Sequence, residues 1–169
     1  TINRSMAISD TLGFMDDRIL VTYGLRRQNL KVDGWSYAGA RTATYDESIT
    51  TPVYGIVLKP WEHVSLYANS IEGLAKGPTA PATAGGAEVT NRGQAFAPAR
   101  SKQVEAGIKY DKGTFGASFG VYRIEQPSDG YVDAQNTYVR QGTQRNRGVE
   151  LNIYGEPLDG LRLLAGATV

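Results

Sequence analysis

At 169 residues, 41% hydrophobic and 21% charged with a net charge of +1, the chain has the bulk of one ordinary domain and lacks the basic excess of a nucleic-acid binder. The absence of cysteine excludes disulfides and thiolate metal ligands, and no run approaches the ~18 apolar residues of a membrane-spanning helix. Any contact with a bilayer is therefore made by strands.

In chain order, Thr1-Ile2-Asn3-Arg4 shows neither an initiator methionine nor a signal-peptide pattern, and reads as the start of an internal piece. A first strand follows over residues 3 to 14, where Met6, Ile8 and Leu12 alternate and Asp10 interrupts them. Beyond the Asp16-Asp17-Arg18 turn, Ile19, Val21, Tyr23 and Leu25 alternate with Thr22, Gly24 and Arg26. A long polar connection over residues 28 to 50 leads to Tyr54, Ile56 and Leu58. The turn Pro60-Trp61-Glu62-His63 then opens the run Val64, Leu66, Ala68. After a second long connection, residues 74 to 100, Val104, Ala106, Ile108 and Tyr110 alternate strictly with Gln103, Glu105, Gly107 and Lys109. Asp111-Lys112-Gly113-Thr114 turns the chain into Phe115, Ala117, Phe119 and Val121. A third connection, residues 126 to 138, precedes Val149, Leu151 and Ile153. Residues 157 to 160 form the last tight turn, before Leu161, Leu163, Ala165 and Ala167.

This pattern predicts about eight antiparallel strands joined alternately by tight turns and long loops, so that every long loop lies on one rim. On the apolar face, the residue next toward the long-loop rim is basic in five strands: Arg4, Arg27, Lys102, Arg123 and Arg147. Toward the short-turn rim the same face ends in Phe14, Tyr110 and Phe115, with Trp61 in a turn. Cations above and aromatics below an apolar belt suit the two interfaces of a membrane. Lys102, Arg123, Arg145 and Arg147 are accordingly candidates for contact with lipopolysaccharide phosphates. The opposite face carries Arg26, Glu105, Lys109, Glu150 and Arg162 among small residues, which requires water or ion partners and so suits a polar lumen.

The run Phe96-Ala97-Pro98-Ala99-Arg100-Ser101-Lys102-Gln103-Val104-Glu105-Ala106-Gly107-Ile108-Lys109-Tyr110 resembles a barrel-strand signature of TonB-dependent siderophore receptors. Gln144-Arg145-Asn146-Arg147-Gly148-Val149-Glu150-Leu151 is similar to their downstream strand, and Leu12 to Gln28 to an earlier hairpin. The resemblance implies an all-β, antiparallel, up-and-down transmembrane β-barrel segment from a bacterial outer membrane, part of a barrel of about 22 strands. Residues 1–169 would then be a partial barrel domain, without a plug domain or a C-terminal closing strand. The implied activity is binding and import of ferric siderophore, with no enzymatic step and no covalent cofactor; iron enters only within the ligand. The implied partners are the siderophore, outer-membrane lipid with its lipopolysaccharide, and the TonB complex through an N-terminal region absent here.

Loops and upper lumen are where aromatics and cations could meet an iron chelate, which nominates Trp35, Tyr37, Tyr45, Phe96, Tyr131, Tyr138 and Arg140. Catalytic or metal chemistry has no comparable support. His63 is a lone histidine in a short turn, Asp16-Asp17 are common turn formers, and Ala84-Gly85-Gly86-Ala87 lacks the ending of a phosphate-binding loop. A general porin or a secreted β-sandwich adhesin would share the alternation and is the competing reading.

Overall fold

Period-two alternation places successive side chains on opposite faces, and in the computed structural model the whole chain is organised by it. The structure describes residues 1–128 and 130–169, apart from the side chains of Thr42, Ala43 and Ala75. Asp129, within the third long connection, lies outside the described residues. In order, the strands are β1 (Ile2–Phe14), β2 (Ile19–Trp35), β3 (Arg41–Trp61), β4 (Val64–Ala75), β5 (Thr83–Ala84), β6 (Ala87–Glu88), β7 (Ala99–Asp111), β8 (Phe115–Pro127), β9 (Tyr131–Val132), β10 (Tyr138–Val139), β11 (Thr143–Leu158) and β12 (Leu161–Thr168). Eight of them form one antiparallel sheet, β1-β2-β3-β4-β7-β8-β11-β12, each beside its neighbour in sequence. The eight strands of the sequence reading are these eight.

Register shows what each face is for. Phe14, Ile19, Leu58, Leu66, Ile108, Phe119, Leu151 and Ala167 are successive partners, one from each strand, in a wholly apolar row. The next row on that face is Leu12, Val21, Ile56, Ala68, Ala106, Val121 and Val149. These side chains are not covered: Phe119 is 45% exposed, Leu151 44% and Val104 45%. In β7 the polar residues Gln103 and Glu105 are the more sheltered and Val104 and Ala106 the more exposed, so the sheet curves with its apolar face outward. A soluble sandwich does the reverse, because water drives apolar side chains between the layers.

Small residues and one tyrosine shape the inner face. Tyr67, Gly107, Gly120 and Glu150 are successive partners there. The Tyr67 ring lies across both glycines, so a Cβ at Gly107 would stand 2.7 Å from its hydroxyl and one at Gly120 2.9 Å. That hydroxyl donates to Glu105 Oε1 at 2.6 Å. Glycine is thus what lets an aromatic side chain lie flat on the strands beside it.

The structure corrects the first long connection. Residues 28 to 50 are mostly strand, because β2 and β3 run on as a ribbon until a tight turn closes with Ser36 N–H donating to Ala40 O at 2.8 Å. Cross-strand polar pairs hold it: Asn29 donates to Asp46 at 2.8 Å and to Ser48 at 3.1 Å, and Thr44 donates to Asp33 at 3.1 Å. Its Val32, Tyr45 and Ile49 are strand formers whose apolar period the polar residues obscure. Among the described residues, the other two long connections carry the small ribbons β5–β6 and β9–β10 and an isolated bridge between Thr79 and Ala95.

Candidate functional site

The short-turn rim is oblique to the rows. Relative to the row of Phe14 and Leu151, β1 ends at Phe14 itself, β3 continues to Trp61, and β11 runs seven residues on to Leu158. The cations descend in parallel, from Arg4 on β1, ten residues from Phe14, to Arg147 on β11, eleven residues from Leu158. A strand tilt of about 40° lowers the horizontal by roughly one residue per strand, so both lines are level in a tilted barrel. Ten residues at about 3.3 Å each and that tilt span ~25 Å, the height of the apolar band of an outer-membrane barrel. Trp61, 69% exposed, and Phe14, 49% exposed, mark its lower edge, and His63 packs edge-on against Tyr110 with ring centroids 6.1 Å apart. Asp16 and Asp17 sit in their turn at φ 55° and 61°, a conformation that aspartate tolerates better than most residues.

At the upper edge, the structure brings the four candidate lipopolysaccharide contacts onto three adjacent strands. Lys102, Glu125 and Arg145 are partners in one row, and Arg123 and Arg147 in the row below. Glu125 lies at the centre. Its Oε1 accepts from Arg123 Nε at 3.0 Å and from Arg145 Nε at 2.7 Å. Lying beyond Val121 and Arg123 on the outward face of β8, its carboxyl is held below the usual carboxylate range by hydrogen bonds from Arg123 and Arg145. Beneath the cations a groove of about 430 Å³ runs between β7 and β8, lined by Val104, Ala106 and Val121 among others. Lys102, Arg123 and Glu125 also line it, so the groove is charged at one end and apolar at the other.

The concave face offers a polar groove of about 550 Å³, lined in part by Ser65, Asn69, Glu105, Lys109, Ser118 and Glu150.

Of the candidate ligand contacts, the structure brings some together and separates others. Phe96 and Tyr138, from different loops, meet edge to face with centroids 5.5 Å apart. Arg140 joins them, donating to Ser128 O at 3.2 Å and to Ala97 O at 3.5 Å. Tyr131 stands on β9, half exposed, its hydroxyl donating to Gln141 at 3.3 Å. Trp35 and Tyr37 lie instead at the tip of the β2–β3 ribbon, both exposed. Tyr45 is 5% exposed; its hydroxyl accepts from Gly77 N–H at 3.1 Å, and Lys76 Nζ lies 5.7 Å from its ring centre. In this arrangement it anchors the second loop to the ribbon. Thr90, Asn91 and Asn136, which tie the two loops together, were missed by the sequence reading. They are ordinary turn formers, and only their partners set them apart.

Residues 3–169 match the family model described as TonB dependent receptor-like, beta-barrel. The chain belongs to that family. Among relatives, the ferrichrome receptor FcuA of Yersinia enterocolitica is 45% identical over 165 residues, which is 96% of this chain and 22% of that protein. Among solved structures, the ferric preacinetobactin receptor BauA of Acinetobacter baumannii superposes with a TM-score of 0.78 at 37% identity, covering 98% of this chain and 24% of that one. The alcaligin outer-membrane receptor FauA of Bordetella pertussis, at 17% identity, shares the fold with a TM-score of 0.76 over 98% of this chain and 29% of that one. The chain thus spans about a quarter of the length of the relatives it matches. As a member of this receptor family it is a stretch of outer-membrane β-barrel, with an apolar convex face and a polar concave one.

Proposed function

We propose that this stretch is barrel wall from a receptor that binds ferric siderophore at its outer loops and imports it across the outer membrane without catalysing a reaction on it. The observation that carries the reading is the outward apolar band with polar lumen, in a chain 45% identical to a ferrichrome receptor. Residues 1–169 are then one partial barrel domain of a larger receptor, and energy for import comes from the TonB complex acting elsewhere on it. Phe96, Tyr131, Tyr138 and Arg140 form the ligand-facing group on two neighbouring loops, and Trp35, Tyr37 and Tyr45 belong to the adjoining ribbon. Lys102, Arg123, Arg145 and Arg147 take lipopolysaccharide phosphate, with Glu125 setting their spacing. The test is uptake of radioactive iron from a panel of ferric siderophores, ferrichrome included, by cells whose only receptor is the full-length protein. TonB-dependent uptake of at least one supports the reading; uptake of none refutes it. A porin would instead pass small solutes and conduct steadily in planar bilayers.

A further inference from the structure

The loop of residues 76–98 and the loop of residues 128–142 arise from different hairpins, yet they are joined by a dense set of hydrogen bonds. Thr90 N–H donates to Asn136 O at 2.9 Å, and the hydroxyls of Thr90 and Thr137 lie 2.7 Å apart. The Asn136 carboxamide donates to Glu88 O. Asn91 is the most connected member. Its Nδ2 donates to Tyr138 O at 2.9 Å, and its Oδ1 accepts from Tyr138 N–H at 2.8 Å. One side chain thereby satisfies both main-chain groups of Tyr138, as a neighbouring strand would. Asn91 is itself held, since Nδ2 also donates to Gln94 Oε1 at 2.8 Å.

The loop of residues 76–98 is in turn anchored, with Val89 1% exposed and Ala80 4% exposed. Its Gly77 is tied to Tyr45 of the β2–β3 ribbon. A firm loop therefore positions a second one through Asn91. The residue so positioned is Tyr138, whose ring meets Phe96 from the first loop and which precedes Arg140 by two residues on the second.

We propose that Asn91 is a positioning residue for ligand recognition: its paired hydrogen bonds to the Tyr138 backbone make Phe96, Tyr138 and Arg140 one recognition surface shared by two loops. This rests on the reading that the outer loops contact the siderophore, and it adds that the two loops act as a unit. Ligand then meets aromatics already in place, and the ordering cost falls on folding instead of binding. Asn91 touches no ligand in this account.

The test uses the full-length receptor in outer membranes, with the ferric siderophore from the panel that wild type takes up best, and two readouts. First, a Thr90→Cys/Thr137→Cys pair should form an interloop disulfide rapidly under mild oxidation, and adding Asn91→Ala should slow it by at least about tenfold. Second, Asn91→Ala should raise the siderophore concentration for half-maximal uptake about tenfold, as loss of one or two net hydrogen bonds implies, while leaving maximal uptake per receptor unchanged. Asn91→Asp, which sets a carboxylate oxygen against Tyr138 O and Gln94 Oε1 where Nδ2 donated, should raise half-saturation at least as much as Asn91→Ala. A merely misfolded loop would lower maximal uptake with receptor abundance instead. Slow disulfide formation in the otherwise wild-type background, or unchanged half-saturation with Asn91→Ala, overturns the proposal. Failure of wild type to take up any siderophore of the panel overturns the underlying reading and this inference with it.

Discussion

On β8, Ala117, Phe119 and Val121 point outward into successive rows of the apolar face, of which the row through Phe119 crosses all eight strands, while Ser118 and Gly120 point inward to a groove holding Tyr67, Glu105 and Glu150. The backbone is the same for both sets, and only the parity of the residue number differs. The contrast teaches that stability here depends on two solvents meeting one sheet. A change that fits one face is an error on the other, and the difference is measurable residue by residue.

The sharpest way to break the comparison is to place one charge on each face. Phe119→Arg, midway between Phe115 and Arg123 on the apolar band, should destabilise the folded receptor by about 2–4 kcal/mol in lipid, whereas Ser118→Arg should change stability by well under 1 kcal/mol. Reversible unfolding in bilayers reads both, and equal costs would contradict the assignment of faces. Next in size is Gly107→Val, which drives a side chain into the Tyr67 ring and toward the Phe119 carbonyl, 2.5 Å from a Cβ there. About 1–3 kcal/mol of overpacking is expected, and a Gly107→Val/Tyr67→Ala double variant should recover the part due to the ring. Tyr67→Phe is smaller: it removes the 2.6 Å hydrogen bond to Glu105 and should cost about 1 kcal/mol, because water in the lumen takes its place. The weakest effects belong to the convex rim. Exchange of Lys102, Arg123, Arg145 and Arg147 for Gln should lower lipopolysaccharide retained on the purified receptor severalfold with little change in stability. Glu125→Gln, which releases Arg123 and Arg145, should raise retention modestly.

The wall was legible in the sequence because each of its strands is long enough to repeat the period several times. Val104 to Tyr110 and Phe115 to Val121 announce their own faces, and the flanking Lys102 and Arg123 announce the rim. Asp10 stands out for a physical reason: it falls on the outward face beside Tyr23, whose hydroxyl donates to it at 3.4 Å. Residues 28 to 50 resemble a loop in sequence because charged and amide side chains supply that ribbon's cross-strand contacts, so no apolar alternation reports it. Asn91 and Thr90 could not be found from sequence, since their role lies wholly in contacts to residues more than forty positions away. Tyr45 illustrates the same limit in reverse. An aromatic in a polar stretch suggested ligand contact, and its burial under Gly77 and Lys76 was invisible until the chain was folded.

Residues 1–169 contain no cysteine, so once any cysteine elsewhere in the full-length receptor is replaced, the lipid-facing assignment can be measured with single labels. Spin labels placed singly at 117 through 122 of the full-length receptor in bilayers should show collision rates with oxygen and with a water-soluble nickel chelate that alternate at period two and out of phase, oxygen high at 117, 119 and 121. Alternation in phase, or nickel contact at 119 equal to that at 118, would contradict the account.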